Sequence, residues 1–299
     1  MLRMLVLLIF SYLLCACGHL LSEELDTKTI KIHRTEYGKL ANGQTIMQYE
    51  LMTQSIKLKV ITYGGIITHL EVPDKLGNFG DVVLGYDDLA GYEKNEAYFG
   101  ALIGRYANRI NNSEIDIKGH AVAVSSNRPP HQLHGGFKGF DKQVWQATTK
   151  NNGDSATINL SLFSPDGEEG FPGDLHMSVS YTVTHQGDLI IEYHATSDKT
   201  TVLNPTQHSY FNLSGNADAD VLGHELSIVA EKIIELDQSS IPTGKYVDVA
   251  NTPFDFNKKR SIKEAIGHTH PQLGIGKGFD HYFVHKQQRG HLTELAHLY

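Results

Sequence analysis

Residues Met177–Thr184 alternate without a break, with Met177, Val179, Tyr181 and Val183 on one side and Ser178, Ser180, Thr182 and Thr184 on the other. A period of two belongs to a strand with one face on a core, because successive side chains leave a strand in opposite directions. After His185-Gln186-Gly187-Asp188 a second alternating run follows, carrying Leu189, Ile191 and Tyr193. Two such runs across a short Gly-containing turn predict an antiparallel hairpin. Asn42-Gly43 predicts another tight hairpin turn, and Leu58–Thr62, Val82–Leu84, Ile115–Ile117, Ala156–Phe163 and Leu226–Val229 are further strand candidates. Turn-rich stretches at Lys75–Gly80, Asn151–Asp154, Ser164–Gly173 and Pro242–Gly244 separate them. The one helix signal is the capping box Ser261-Ile262-Lys263-Glu264. With no repeat and no interdomain linker, the pattern predicts an all-β chain, a large antiparallel β-sandwich in a single domain.

Composition narrows the function classes. Over 299 residues, 40% are hydrophobic and 20% charged, enough apolar matter for a large core and too much for a disordered chain. The formal charge is −8 and no basic stripe occurs, which argues against a nucleic-acid partner. The two cysteines, Cys15 and Cys17, lie in the first 20 residues, so the body holds no disulfide framework and no Cys-based metal site.

Those cysteines belong to an expected leader. Arg3 precedes the apolar run Leu5–Leu14, which is too short to span a bilayer and suited to a signal-peptide core. Leu14-Cys15-Ala16-Cys17 resembles a bacterial lipobox, with an ordinary secretory cleavage near Ala16 as the alternative. The expected organisation is a signal peptide over 1–16, a tether over 17–28 lipidated at Cys17, and the β-sandwich over 29–299. An exported lipoprotein of the periplasm or cell envelope follows, touching membrane through its lipid anchor only.

Neither GxGxxG nor GxxxxGK[ST] nor a GxSxG elbow occurs, so nothing supports nucleotide chemistry or a serine-hydrolase site. The pairs His131/His134 and His268/His270 have no third ligand at short spacing, and no metal site is expected. Four polar clusters remain. In Gly104–Ile110, Arg105, Asn108 and Arg109 sit beside apolar Leu102, Ile103 and Ile110. A buried Arg needs acceptors, and either the protein itself or a polyhydroxylated ligand could supply them. In Gln132–Gly136, the Gly pair allows close backbone approach, and His134 is either a ligand donor or a structural histidine. Asn204–Leu213 surrounds His208 with hydrogen-bonding and aromatic side chains, a setting for proton transfer beside a stacked sugar ring. In Gly278-Phe279-Asp280-His281, Asp280 either caps a turn or accepts from paired hydroxyls. The lone Trp145 reads as core.

At these clusters the sequence resembles the aldose 1-epimerases, or galactose mutarotases. GRYANRI, QLHGG followed by GFDK, DGEEGFPG at Asp166–Gly173, NPTQHSYFNL, IPTG, TPFDF and GFDHYF occur in the family's order between Tyr37 and Val284. The resemblance implies a large antiparallel β-sandwich that interconverts the α and β anomers of free aldoses such as galactose or glucose, with no cofactor. It implies that Asn108 and Arg109 bind the sugar together with His134, that His208 is the catalytic acid, that Ser209 and Tyr210 lie against the sugar, and that Asp280 holds its hydroxyls. It also implies a catalytic Glu in a later segment like LExQxxPDAxN, which is not found before Tyr299. Glu294, in Leu292-Thr293-Glu294-Leu295, does not match that motif, and Glu168 and Glu169 match a loop motif. The expectation is therefore a family member lacking its last strands and its general base. A lipid-anchored sugar-binding protein without catalysis is the alternative, and an exported location argues against phosphorylated hexoses. Cys17→Ser is expected to move the protein from the membrane to the soluble fraction with the sandwich intact; equal retention of both forms on fractionation would remove the anchor.

Overall fold

The computed structural model describes residues 30–285 and 290–299; the expected leader and tether, with Cys17, lie outside the described residues. The Met177–Thr184 alternation becomes the strand Leu175–Thr184, paired antiparallel to Leu189–Ser197 with Val183 opposite Leu189. The turn between them closes through the Thr184 carbonyl, which accepts from Gly187 at 3.1 Å, and Gly187 has φ 90°. Ser155–Ser164 and Gln146–Asn151 complete a four-stranded antiparallel sheet.

The second large sheet has five strands in sequence order: Lys31–Lys39, Thr45–Met52, Lys57–Ile61, Ile67–Pro73 and Phe79–Asp81. Asn42-Gly43 makes the first turn, with Gly43 at φ 84°. Tyr49, Leu51, Leu58 and Val60 of this sheet share one buried cluster with Ile158, Leu160, Val179, Tyr181 and Val183 of the other, together with Trp145. The expected sandwich is therefore present, with each sheet giving its alternate side chains to the layer between. The Tyr181 hydroxyl crosses that layer and donates to the Gly65 carbonyl at 3.0 Å. Trp145 is core, its Nε1–H donating to the Phe140 carbonyl at 3.1 Å.

Two three-stranded sheets follow, centred on Glu225–Ile228 and Lys232–Leu236. Phe254, Ile233, Val249 and Leu273 form a separate small core beside them. Ser261 caps the helix Ile262–Ile266 as expected, its Oγ accepting from Glu264 N–H at 3.4 Å. Two further helices, Leu89–Glu93 and Pro271–Gly276, were not predicted. Five or six residues give too few turns for a 3.6-residue period to register. Val82–Leu84 is not a ladder strand; Val83 makes an isolated bridge to Phe211. None of the helices among the described residues is long and apolar enough to cross a membrane.

Tyr181→Phe leaves the buried Gly65 carbonyl without its donor. It is expected to lower the unfolding free energy by ~1–3 kcal/mol, read as an earlier midpoint at unchanged slope in urea titration.

Candidate functional site

The site is assembled by backbone pairing around residues 100–110. On one side Leu102–Ile103 pairs with Thr206–Gln207, and Gly100 N–H donates to the His208 carbonyl at 3.0 Å while His208 N–H donates to Ala101 at 2.9 Å. On the other side Arg109–Ile110 pairs with Gln132–Leu133, and His134 N–H donates to the Asn108 carbonyl at 3.1 Å. Three segments remote in sequence thus present His208, Asn108, Arg109 and His134 together.

Arg105 resolves the choice left open in the sequence. It is 2% exposed, and its guanidinium is spent within the protein. Nε donates to Ser164 Oγ at 2.8 Å, Nη2 to the carbonyls of Ser164 and Pro165 at 2.7 and 3.0 Å, and Nη1 to Pro172 at 3.1 Å. Arg105 therefore braces the turn over Ser164–Gly173, while its neighbour Arg109 faces a cleft. The two acids of that turn are also structural. Glu169 accepts from Phe137 N–H at 2.9 Å and Lys138 N–H at 2.8 Å, and from Ser125 Oγ. Glu168 accepts from Ser164 Oγ and from Gln143 Nε2 at 3.1 Å. Together they hold the loop that follows His134. Gly135 has φ 86°, and a Cβ there would be driven into the Gly104 carbonyl oxygen, so the close approach allowed by the Gly pair is realised.

The cleft has a volume of about 260 Å³. Asn108, Arg109, His134, His208, Tyr210 and Asp280 all line it, as do Glu96, Ala97, Tyr98 and Leu133. Ser209 is not among the lining residues; its hydroxyl is buried and has no partner among the described residues. Its backbone N–H is held by Gln207 Oε1 at 3.0 Å. Tyr98 was missed by sequence reasoning. Its ring stands 4.5 Å from that of His134 and 6.0 Å from that of His208, at a backbone φ of 60°. It lies in a loop without periodicity, and no sequence signal separates it from the chain's other tyrosines. Among the described residues, Glu294 pairs with His297 at 2.7 Å and does not line the cleft. No group of three potential metal ligands occurs among the described residues.

The imidazoles of His134 and His208 meet edge to face, with centroids 5.1 Å apart at 86°. Asn108 N–H donates to His134 Nδ1 at 3.0 Å, so the remaining proton of the neutral ring sits on Nε2. Burial, with His208 and Arg109 beside it, pushes the His134 pKa from 6.5 down to about 3. His134 is thus a neutral donor across the physiological range. Burial also lowers His208, opposed by its hydrogen bonding and by the facing carboxylates of Asp280 and Asp141. Tyr210 lies 5.2 Å from His208, its hydroxyl pushed up by burial and by Asp280. Tyr282 comes within reach of the Asn108 side chain, which places the Asp280 segment beside the Asn-Arg pair. This arrangement can bind several hydroxyls and move a proton at an imidazole.

The sequence profile described as Aldose 1-epimerase matches residues 47–298. The chain belongs to the aldose 1-epimerase family. It is 38% identical to the galactose mutarotase of Rattus norvegicus over 261 residues, which are 87% of this chain and 73% of that protein. It is 35% identical to the aldose 1-epimerase of Escherichia coli (strain K12), over 79% of this chain and 68% of that one. Among solved structures, a galactose 1-epimerase from Lactobacillus acidophilus superposes with TM-score 0.81 at 25% identity, covering 91% of this chain and 77% of that chain. An aldose epimerase homologue from C. elegans does so with TM-score 0.73 at 31% identity, covering 82% and 72%. The aldose 1-epimerase resemblance read from the motifs and the β-sandwich expected from the strand pattern therefore both stand.

His134 sets a pH dependence. Its folded pKa lies below the unfolded one, so between about 3 and 6.5 the unfolded chain binds the extra proton and stability falls as pH falls. His134→Gln keeps an acceptor for Asn108 N–H and removes that titration. Its unfolding free energy is expected to decline less than the parent's on going from pH 7 to pH 4, as measured by urea denaturation at each pH.

Proposed function

We propose that the cleft takes a free aldopyranose, such as galactose or glucose, and interconverts its α and β anomers. The observation that carries this reading is the meeting of His134 and His208, with centroids 5.1 Å apart, in one cleft with Asn108, Arg109 and Asp280. Its volume of about 260 Å³ lies below the ~300–1,000 Å³ of pockets for drug-sized ligands and favours a single sugar. Arg109, Asn108 and the Nε2–H of His134 offer donors to ring hydroxyls. Asp280 offers acceptors, and the rings of Tyr98 and Tyr210 offer faces for C–H groups.

In the reaction a base removes the proton of the C1 hydroxyl, the bond from C1 to the ring oxygen breaks, and the electron pair passes to that oxygen. His208 donates the proton there. It must carry its second proton to do so, which burial opposes and the carboxylates of Asp280 and Asp141 favour. Rotation about the C1–C2 bond and reclosure with the roles exchanged give the other anomer, with no net redox change.

The second reading, binding without catalysis, has one observation in its favour. The carboxylates lining the cleft among the described residues are Glu96 and Asp280, and neither stands in a segment like the one that supplies the family's Glu. The inferred setting is the cell envelope, with a single sandwich domain over 29–299 held by the lipidated Cys17.

Polarimetry on α-galactose separates these readings. His208→Asn keeps a hydrogen-bonding group but cannot shuttle a proton, so kcat is expected to fall by ~10²-fold or more with KM changed much less. Arg109→Ala removes a multi-donor contact and is expected to raise KM as well as lower kcat. A parent protein that binds galactose without accelerating mutarotation would establish the binding reading, and near-normal kcat in His208→Asn would remove His208 from catalysis.

A further inference from the structure

The segment Phe279–Phe283 alternates between two environments. Asp280 lines the cleft and Tyr282 reaches Asn108, while Phe279 and Phe283 pack on the small core around Phe254. His281 falls on the core side, its ring edge to face with Phe254 at 4.8 Å. The exposed carboxylate of Asp280 takes no hydrogen bond from another described side chain, so its position depends on how its backbone is held.

What holds it is a short chain of hydrogen bonds behind the cleft. Gln272, on the helix Pro271–Gly276, is 7% exposed and grips the strand Lys232–Leu236 at both ends of its amide. Leu236 N–H donates to Gln272 Oε1 at 2.9 Å, and Gln272 Nε2 donates to the Leu236 carbonyl at 3.0 Å. These two bonds assign the amide's orientation, so its oxygen is an acceptor. His281 Nε2 lies 3.0 Å from that oxygen and must therefore carry a hydrogen. In the neutral ring this leaves Nδ1 bare, and Nδ1 is buried with no partner among the described residues. Burial lowers the His281 pKa, in keeping with a neutral ring. The fit is close: a Cβ at Gly276 would lie 2.8 Å from His281 Cε1.

We propose that His281 is a positioning residue, an imidazole locked as the Nε2–H tautomer that fastens the chain beside Asp280 to Gln272 and so aims the Asp280 carboxylate into the cleft. This rests on the reading of Asp280 as the acceptor of sugar hydroxyls. A ring that only filled space would be replaced by phenylalanine at no cost to binding. A clamp would not, because phenylalanine has no donor and leaves Gln272 Oε1 one hydrogen bond short.

The test compares His281→Phe, His281→Gln and Gly276→Ala in the full chain, using galactose as the probe. His281→Phe is expected to raise the galactose KM, and the Kd measured by calorimetry, about fivefold to tenfold, the worth of one hydrogen bond. Its kcat should stay within about twofold, because His208 is untouched. His281→Gln places an N–H near the same point and is expected to restore most of the affinity. Gly276→Ala displaces the ring and is expected to weaken galactose binding with His281 still present. Independently of sugar, nitrogen-15 spectra at pH 7 should show His281 neutral, with hydrogen on Nε2 and none on Nδ1. Parental KM and Kd in His281→Phe, or a hydrogen on Nδ1, would overturn the proposal. If the unsubstituted protein binds no galactose, the reading of the cleft fails, and the spectrum still decides whether the clamp exists.

Discussion

The guanidinium of Arg105 is the contact on which the site depends. A charge at 2% exposure survives only if its donors are met, and here the hydroxyl of Ser164 and three carbonyls meet them. Those acceptors lie at the end of the strand Ser155–Ser164 and in the turn after it, so Arg105 fixes residues 104–110 to the edge of the sandwich. The same turn supplies Glu168 and Glu169, whose carboxylates brace the loop beyond His134. The apolar layer makes the sandwich, and this polar connection makes the site rigid with respect to it.

From that anchor the chemistry follows by backbone pairing. Residues 100–110 hydrogen-bond to the His208 segment on one side and to the His134 segment on the other, so the two imidazoles meet across a shared scaffold. Their environments separate their roles. His134 is buried deeply, its Nδ1 held by Asn108 N–H, and titrates far below neutrality. Burial lowers His208 as well, but the carboxylates of Asp280 and Asp141 oppose that shift and favour its protonated form. A pair of neighbouring histidines pushed apart in this way can serve as a fixed donor and a proton carrier.

The strand pattern and the motifs were legible because each is local. Alternation over Met177–Thr184 reports one buried face without reference to any partner, and Asn42-Gly43 reports a turn through its own backbone needs. The motif residues Asn108, Arg109, His134, His208, Tyr210 and Asp280 converge on one cleft as the resemblance implied. Ser209 shares the motif of His208, but its hydroxyl is buried and does not line the cleft. Tyr98 carries no motif signal and enters the cleft through a left-handed backbone in a loop. The helices Leu89–Glu93 and Pro271–Gly276 are too short to show a period, although one of them carries Gln272.

The amino-acid sequence was enough to predict an antiparallel sandwich and a place among the aldose 1-epimerases, because periodicity and ordered motifs are properties of the chain read in one dimension. The sequence left open what a buried arginine of GRYANRI would pair with, although the motif resemblance assigned Arg109 to the sugar. Arg105 and Arg109 are the same residue type four positions apart, and only the fold shows one saturated by carbonyls and the other facing the cleft. Nor could it assign a proton on His134 or His281, since the tautomer depends on which atom of a distant residue lies within hydrogen-bond reach. These choices belong to tertiary structure because burial and hydrogen-bond satisfaction are set by partners far away along the chain.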